Sequence, residues 1–269
     1  MRRNWQLGQY LIAIVMAAGI CAGFFLAIRD CQWKKSAAEM PSQSEEAKPR
    51  LSATKPKSSQ NQTLKPAEKP TANQIGIKPA VNLDVPFTSQ APYAVWDQLH
   101  NEACEEAAVI TVNNYLAGGR GAKIAPAKAD RQIKQMVDWE IRLWGAQKDL
   151  TAAETVKYLA KEYSRRPAAE VKSDFSIDDI KRELSAGRPV IVPAAGRLLG
   201  NPNFKRPGPI YHMVVIVGYD DKGFICNDPG TRKGYKYRYT FDRILYATHD
   251  WNGSADNINN GQQVYMVLN

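Results

Sequence analysis

The chain has 269 residues, of which 44% are hydrophobic and 23% charged, and a formal net charge of +9. This balance excludes full disorder and a collagen-like repeat, and the length allows one or two domains. Four cysteines are too few for a disulfide scaffold. The positive charge raises nucleic acid as a partner, but its distribution argues against that. Residues 1–28 carry Arg2 and Arg3 and no acid, residues 29–80 carry ten basic and five acidic residues, and residues 81–269 carry 24 basic and 22 acidic residues. The basicity belongs mainly to the N-terminal third, and no nucleic-acid partner is expected.

Residues 1–7 form a short flank. Gly8 to Ile28 is an uncharged apolar run. Its length matches a helix spanning a hydrocarbon core of about 30 Å and exceeds the apolar part of a cleaved signal peptide. The sequence predicts an uncleaved single-pass membrane anchor over 8–28. Basic residues flank both ends, so the positive-inside rule does not orient it. Residues 29–80 are rich in Pro, Ser, Lys and Gln, which predicts a disordered, extended linker.

The folded domain is expected over 81–269. NLDVPFTS alternates like a short strand. Residues 103–116 have a helical pattern that stops at Gly118-Gly119, and 127–143 and 151–163 form two more amphipathic helices. Thr151 with Glu154, and Ser176 with Asp179, have the spacing of helix-starting boxes. Strands are predicted at 189–195, 211–220, 223–228, 235–240 and 263–268, with a short helix around 241–249. Helices come first and strands later, so the fold class is α+β, a helical half against an antiparallel sheet.

The sequence offers no phosphate loop and no metal-ligand spacing, so no cofactor or metal is expected. Cys104 falls at the predicted start of a helix, where free N–H groups and the dipole favour a thiolate. A buried core cysteine fits the same position. His212 opens the apolar strand MVVIVGY, as a satisfied structural group or a functional one. Asp228 ends the next strand. If the hairpin loop has an odd length, or the strands carry a bulge, His212 and Asp228 become diagonal neighbours on one face. A two-residue loop without a bulge puts them on opposite faces. His100 and His249 read as local structure.

Three segments carry a resemblance: NLDVPFTSQAPYAVWDQLHNEACEEAAV, GRPVIVPAAGRLLGNPNFKRPGPIYHMVVIVGYDD and FICNDPGTRKGYKYRY. Together they resemble the C39-like family of papain-fold cysteine peptidases. The resemblance implies a papain-like fold, Cys104 as nucleophile, His212 as general base, Asp228 orienting the imidazole, and Gln90 donating to the oxyanion. A peptide or protein is then the substrate, and the domain lies outside the cytoplasm on its membrane anchor. Trp96, Glu105, Glu106 and Tyr211 are candidate cleft residues. Glu105-Glu106 stands where many relatives have Gly-Pro, and two carboxylates beside a thiol should raise its pKa. A Cys104–Cys226 disulfide, or a zinc site from Cys104, His212 and Cys226, would compete with the nucleophile. An acyltransferase, a wall-peptide amidase and a non-catalytic binding module on the same scaffold are the alternatives.

Overall fold

Three runs in the second half of the chain, VIVPAA, YHMVVIVGYD and GFICN, are buried along nearly their whole length, as expected of strands covered on both faces. The computed structural model describes residues 76–269. In it these runs are β3 (Val190–Ala195), β4 (Tyr211–Asp220) and β5 (Gly223–Asn227), the centre of a seven-stranded sheet. The flanking strands are β1 (Val81–Asn82), β2 (Glu170–Ser173), β6 (Tyr237–Tyr239) and β7 (Val264–Val267). The sheet order is β2-β7-β3-β4-β5-β6, with every pairing antiparallel. β1 lies along β4 beyond the end of β3, and Gly218 is needed there because a Cβ would collide with the Val81 carbonyl oxygen.

Most of the helices precede the central strands. They are α1 (Gln98–Asn101), α2 (Cys104–Leu116), α3 (Pro126–Trp144) and α4 (Ala152–Glu154), which continues as a π-helix over Thr155–Tyr163. α5 (Ile177–Ser185) and α6 (Phe241–Ala247) complete the set. Both predicted boxes are formed: Thr151 with Glu154, and Ser176 with Asp179, cap each other reciprocally. α2 is buried from Cys104 to Val112, so its stability comes from packing on every side rather than from an amphipathic stripe.

The sheet divides the core in two. Met213, Val215, Val217, Ile225 and Met266 face a cluster with α2, α3 and the π-helix. Val214, Ile216, Cys226 and Val267 face a second cluster with α5 and α6. The fold is therefore α+β with an antiparallel sheet, but helices lie on both faces of it rather than forming one separate half.

The predicted membrane span at 8–28 and the linker up to residue 75 lie outside the described residues. Among the described residues, no helix is long and apolar enough to cross a membrane. The chain is already tied into the fold at Lys78, whose N–H donates to Ser185 Oγ at 3.1 Å and whose carbonyl accepts from the Tyr219 hydroxyl.

Candidate active site

The hairpin between β4 and β5 decides whether His212 and Asp228 can meet. The loop is Asp221-Lys222, the two-residue length that would put them on opposite faces. Asp220 faces Gly223 and Gly218 faces Ile225, but the register shifts between Ile216 and Gly218, so that Ile216 faces Cys226 and Val215 faces Asn227. One extra residue at Val217 restores the parity that the diagonal contact needs. His212 Nε2 donates to Asp228 Oδ1 at 2.8 Å, with both side chains buried.

Asp228 is fully satisfied. Oδ1 also accepts from the Gly230 N–H at 3.0 Å, while Oδ2 accepts from the Asn201 amide at 2.9 Å and from the Tyr239 hydroxyl at 2.6 Å. Burial works to raise its pKa, but His212 and these donors outweigh burial and hold the carboxyl below its ordinary range. An ionised Asp228 fixes the proton on Nε2 and leaves Nδ1 as the acceptor. The imidazole is clasped by the Phe204 ring, edge to face at 5.4 Å, and by Gly230, where a Cβ would come within 2.8 Å of His212 Cε1 and 2.9 Å of Phe204.

Cys104 is the first residue of α2, as predicted, and is 4% exposed. Its thiol donates to Glu105 Oε2 at 3.0 Å, and Glu105 Oε1 accepts from the Leu150 N–H at 3.1 Å. Burial pushes the Cys104 thiol well above its usual range, and the Glu105 charge pushes it further. Among the described residues there is no hydrogen bond between Cys104 and His212. The two are nonetheless linked, because Leu150 accepts from the hydroxyl of Tyr211, the residue before His212, at 2.9 Å.

Gln90 joins the same parts from the other direction. Its backbone N–H donates to the Pro229 carbonyl at 3.0 Å, beside Asp228. Its side-chain amide donates to the carbonyls of His100 and Asn101, at 2.9 and 3.0 Å, just before α2. Both amide hydrogens are thus engaged, and the buried Oε1 has no partner. Gln90 is a strut between the Cys104 and His212 sides in this conformation.

Gln90 and His212 border a groove of about 1250 Å³, lined also by Trp96, Asp149, Phe204 and Tyr211, whereas Cys104 and Asp228 are not on its lining. Its volume exceeds the roughly 300–1,000 Å³ of small-ligand clefts. Of the four candidate cleft residues, Trp96 and Tyr211 line it. Glu105 and Glu106 do not: each is 1% exposed and turned into the interior. Glu106 accepts from Gln147 at 2.9 Å. Burial, and then the neighbouring Glu140, hold Glu106 well above the usual carboxylate range. Glu140 itself is pushed up to about 8, by burial and then by Glu105.

The competing sites do not form. Cys104 and Cys226 are both free and belong to core clusters on opposite faces of the sheet. Neither the disulfide nor the zinc set of Cys104, His212 and Cys226 is assembled. Among the described residues no group of three or more His, Cys, Asp or Glu side chains is placed to hold a metal ion. His100 is buried between Asp97 at 2.7 Å and Asp130 at 3.0 Å, with both ring nitrogens taken. His249 Nδ1 donates to the Gly261 carbonyl at 3.0 Å.

The family model for the "Peptidase_C39 like family" matches residues 82–257, about two thirds of the chain. The chain belongs to the Peptidase_C39 like family. Membership makes it, at family level, a relative of cysteine-type peptidases, and the match spans Gln90, Cys104, His212 and Asp228. Two solved structures show likeness. One is a C39-like peptidase from Bacillus anthracis, at 16% identity, covering 71% of this chain and 98% of that one with a TM-score of 0.45. The other is xylellain, a cysteine protease from Xylella fastidiosa, at 16% identity, covering 72% and 86% with a TM-score of 0.31. Comparison with curated proteins gave no match.

Asn201, Tyr239, Phe204 and Gly230 complete the site, and sequence reasoning does not single them out as site residues. Tyr239 carries a usable signal, since within YKYRY it falls on the strand facing Phe224. Asn201 lies in a loop, where no periodicity marks it.

Proposed function

We propose that this C39-like chain is a membrane-tethered cysteine peptidase that hydrolyses peptide bonds through an acyl-enzyme on Cys104. The observation that carries the reading is the buried His212–Asp228 pair, 2.8 Å apart, with His212 at the wall of a groove large enough for an extended peptide. In this reading the thiol turns from Glu105 into the groove and gives its proton to His212 Nδ1. Asp228 holds Nε2–H and stabilises the imidazolium. Sulfur forms a bond to the scissile carbonyl carbon, the C–N bond breaks, and the imidazolium protonates the leaving amine. Water then attacks the thioester, with His212 as base, and Cys104 is regenerated. The backbone N–H groups at the start of α2 stabilise the oxyanion. Gln90 joins them only by releasing an amide hydrogen from the His100 or Asn101 carbonyl. The apolar run at 8–28 anchors the chain, and the linker holds the domain off the outer membrane surface.

The thiol's bond to Glu105 favours a second reading, a non-catalytic peptide-binding module. Exposing the full chain to an activated acyl ester and measuring intact mass separates the two. A peptidase gains one acyl group on Cys104, and gains it much more slowly in His212→Ala with the fold kept by circular dichroism. A binding module gains none.

A further inference from the structure

Two loops clasp the imidazole, and both carry paired basic residues into the groove. Lys205 and Arg206 follow Phe204, whose ring meets His212. Arg232 and Lys233 stand two and three residues beyond Gly230, which touches both rings. The second loop is pinned to the site: the Asp228 N–H donates to the Gly234 carbonyl at 3.0 Å, and Lys233 N–H donates to Thr231 Oγ1 at 3.2 Å. All four cations are exposed, and among the described residues none has an ion-pair partner.

The lack of a partner does not by itself set them apart, since most basic residues of the described domain have none; what sets them apart is their gathering around one groove, whereas the paired cations lie elsewhere. Arg238 is paired with Asp220 at 2.6 Å, Arg188 with Glu183 at 2.6 Å and Lys172 with Glu183 at 2.8 Å. In a segment with only two more basic than acidic residues over 81–269, four unneutralised cations beside one imidazole are a local excess. The acids that line the groove, Glu102 and Asp149, belong to the Cys104 side. Asp149 precedes Leu150, which is bonded to Glu105. Lys123 is a fifth basic residue on the lining; the groove is basic around His212 and carries its acids next to Cys104. A concave surface lined by one sign of charge concentrates the field and raises the local level of the opposite charge. Such complementarity sets specificity and approach rate more than total affinity.

We propose that the groove selects peptides carrying Asp or Glu side chains on the segment that lies along the Lys205–Arg206 and Arg232–Lys233 loops. The inference rests on the peptidase reading for its choice of a peptide as occupant. Glu102 and Asp149 repel the same segment from the other end, so charge also fixes the direction in which the chain lies.

The test uses the full chain carrying Cys104→Ala, which blocks turnover, and fluorescence anisotropy of three labelled peptides of equal length: acidic, neutral and basic. The acidic peptide should bind about tenfold more tightly than the basic one, and added salt should weaken it. Arg232→Glu with Lys233→Glu, and separately Lys205→Glu with Arg206→Glu, should remove that preference. Lys157→Glu, at an exposed position outside the groove, should not. A preference that survives both groove reversals would place the binding on the basic linker and overturn the proposal. So would equal affinity for all three peptides, or displacement of the acidic peptide by polyphosphate of equal charge at far lower concentration. Acylation of native Cys104 is measured in parallel. Charge-dependent binding without acylation defeats the peptidase reading and leaves the groove's preference standing. Acylation without the preference defeats this inference alone.

Discussion

A thiol that donates to a buried carboxylate is a poor nucleophile until the contact breaks. Cys104 is in that state, bonded to Glu105 at 3.0 Å. The sign of this effect is readable in the sequence, since a carboxylate beside a thiol must raise its pKa. The partner is not readable. The orientation of Glu105 depends on Leu150, 45 residues away, whose N–H holds the other carboxylate oxygen. The consequence is measurable. Burial raises the thiol above its usual range, and the charge of Glu105 opposes the thiolate further. Glu105→Gln removes that charge. The pH profile of iodoacetamide alkylation at Cys104 should then move to lower pH. A profile lying one pH unit lower corresponds to about tenfold more thiolate in the lower part of the curve. An unmoved profile would mean that burial alone sets the reactivity. Strand parity brings His212 and Asp228 within reach of sequence reasoning, whereas Asn201 is out of reach because nothing in a loop sequence states which carboxylate its amide will meet.

At the scale of elements, the boxes at Thr151 and Ser176 and the apolar central strands are local patterns, and each appears where those patterns place it. The hairpin is instructive because two local rules conflict. Its loop has the even length that separates His212 from Asp228, and the bulge at Val217 reverses the outcome. A bulge leaves little trace in an apolar run such as MVVIVGY, so the sequence leaves both registers open. β2 escapes sequence reasoning for a related reason. Glu170–Ser173 is short and mostly exposed, and it becomes a strand only because β7 supplies its partners. β6 bears on the site through one group: Tyr239 donates its hydroxyl to the buried Asp228. Tyr239→Phe should lower the unfolding free energy by about 1.5–3 kcal/mol, the range for hydrogen bonds to charged groups. Denaturant unfolding measures this, and an unchanged midpoint would show that Asn201 and Gly230 suffice to hold the carboxylate.

For the whole molecule, buried acids make stability depend on pH in an unusual direction. The folded pKa of Glu140 is raised from 4.5 to about 8 and that of Asp149 from 3.8 to about 6, in each case mainly by burial. Glu105 and Glu106 are raised as well, again first by burial. The native state then holds protons that the unfolded chain has released. The associated stability is fully present below the unfolded carboxylate range and is lost as pH rises toward 8. Melting temperature should fall between pH 5 and pH 8.5, and Glu140→Gln should flatten the upper part of that fall. A melting temperature that rises across this interval would contradict the buried, protonated placement. The overall charge of +9 points at first toward nucleic acid; its division along the chain leaves a nearly neutral domain whose groove is lined by Lys205, Arg206, Arg232 and Lys233. The covalent role of Cys104 is tested most directly by intact-mass analysis of the full chain after treatment with an activated acyl ester. A single acyl adduct should form, map to Cys104, be absent in Cys104→Ala and appear much more slowly in His212→Ala. An adduct at another residue, or equal labelling with and without His212, would contradict that role.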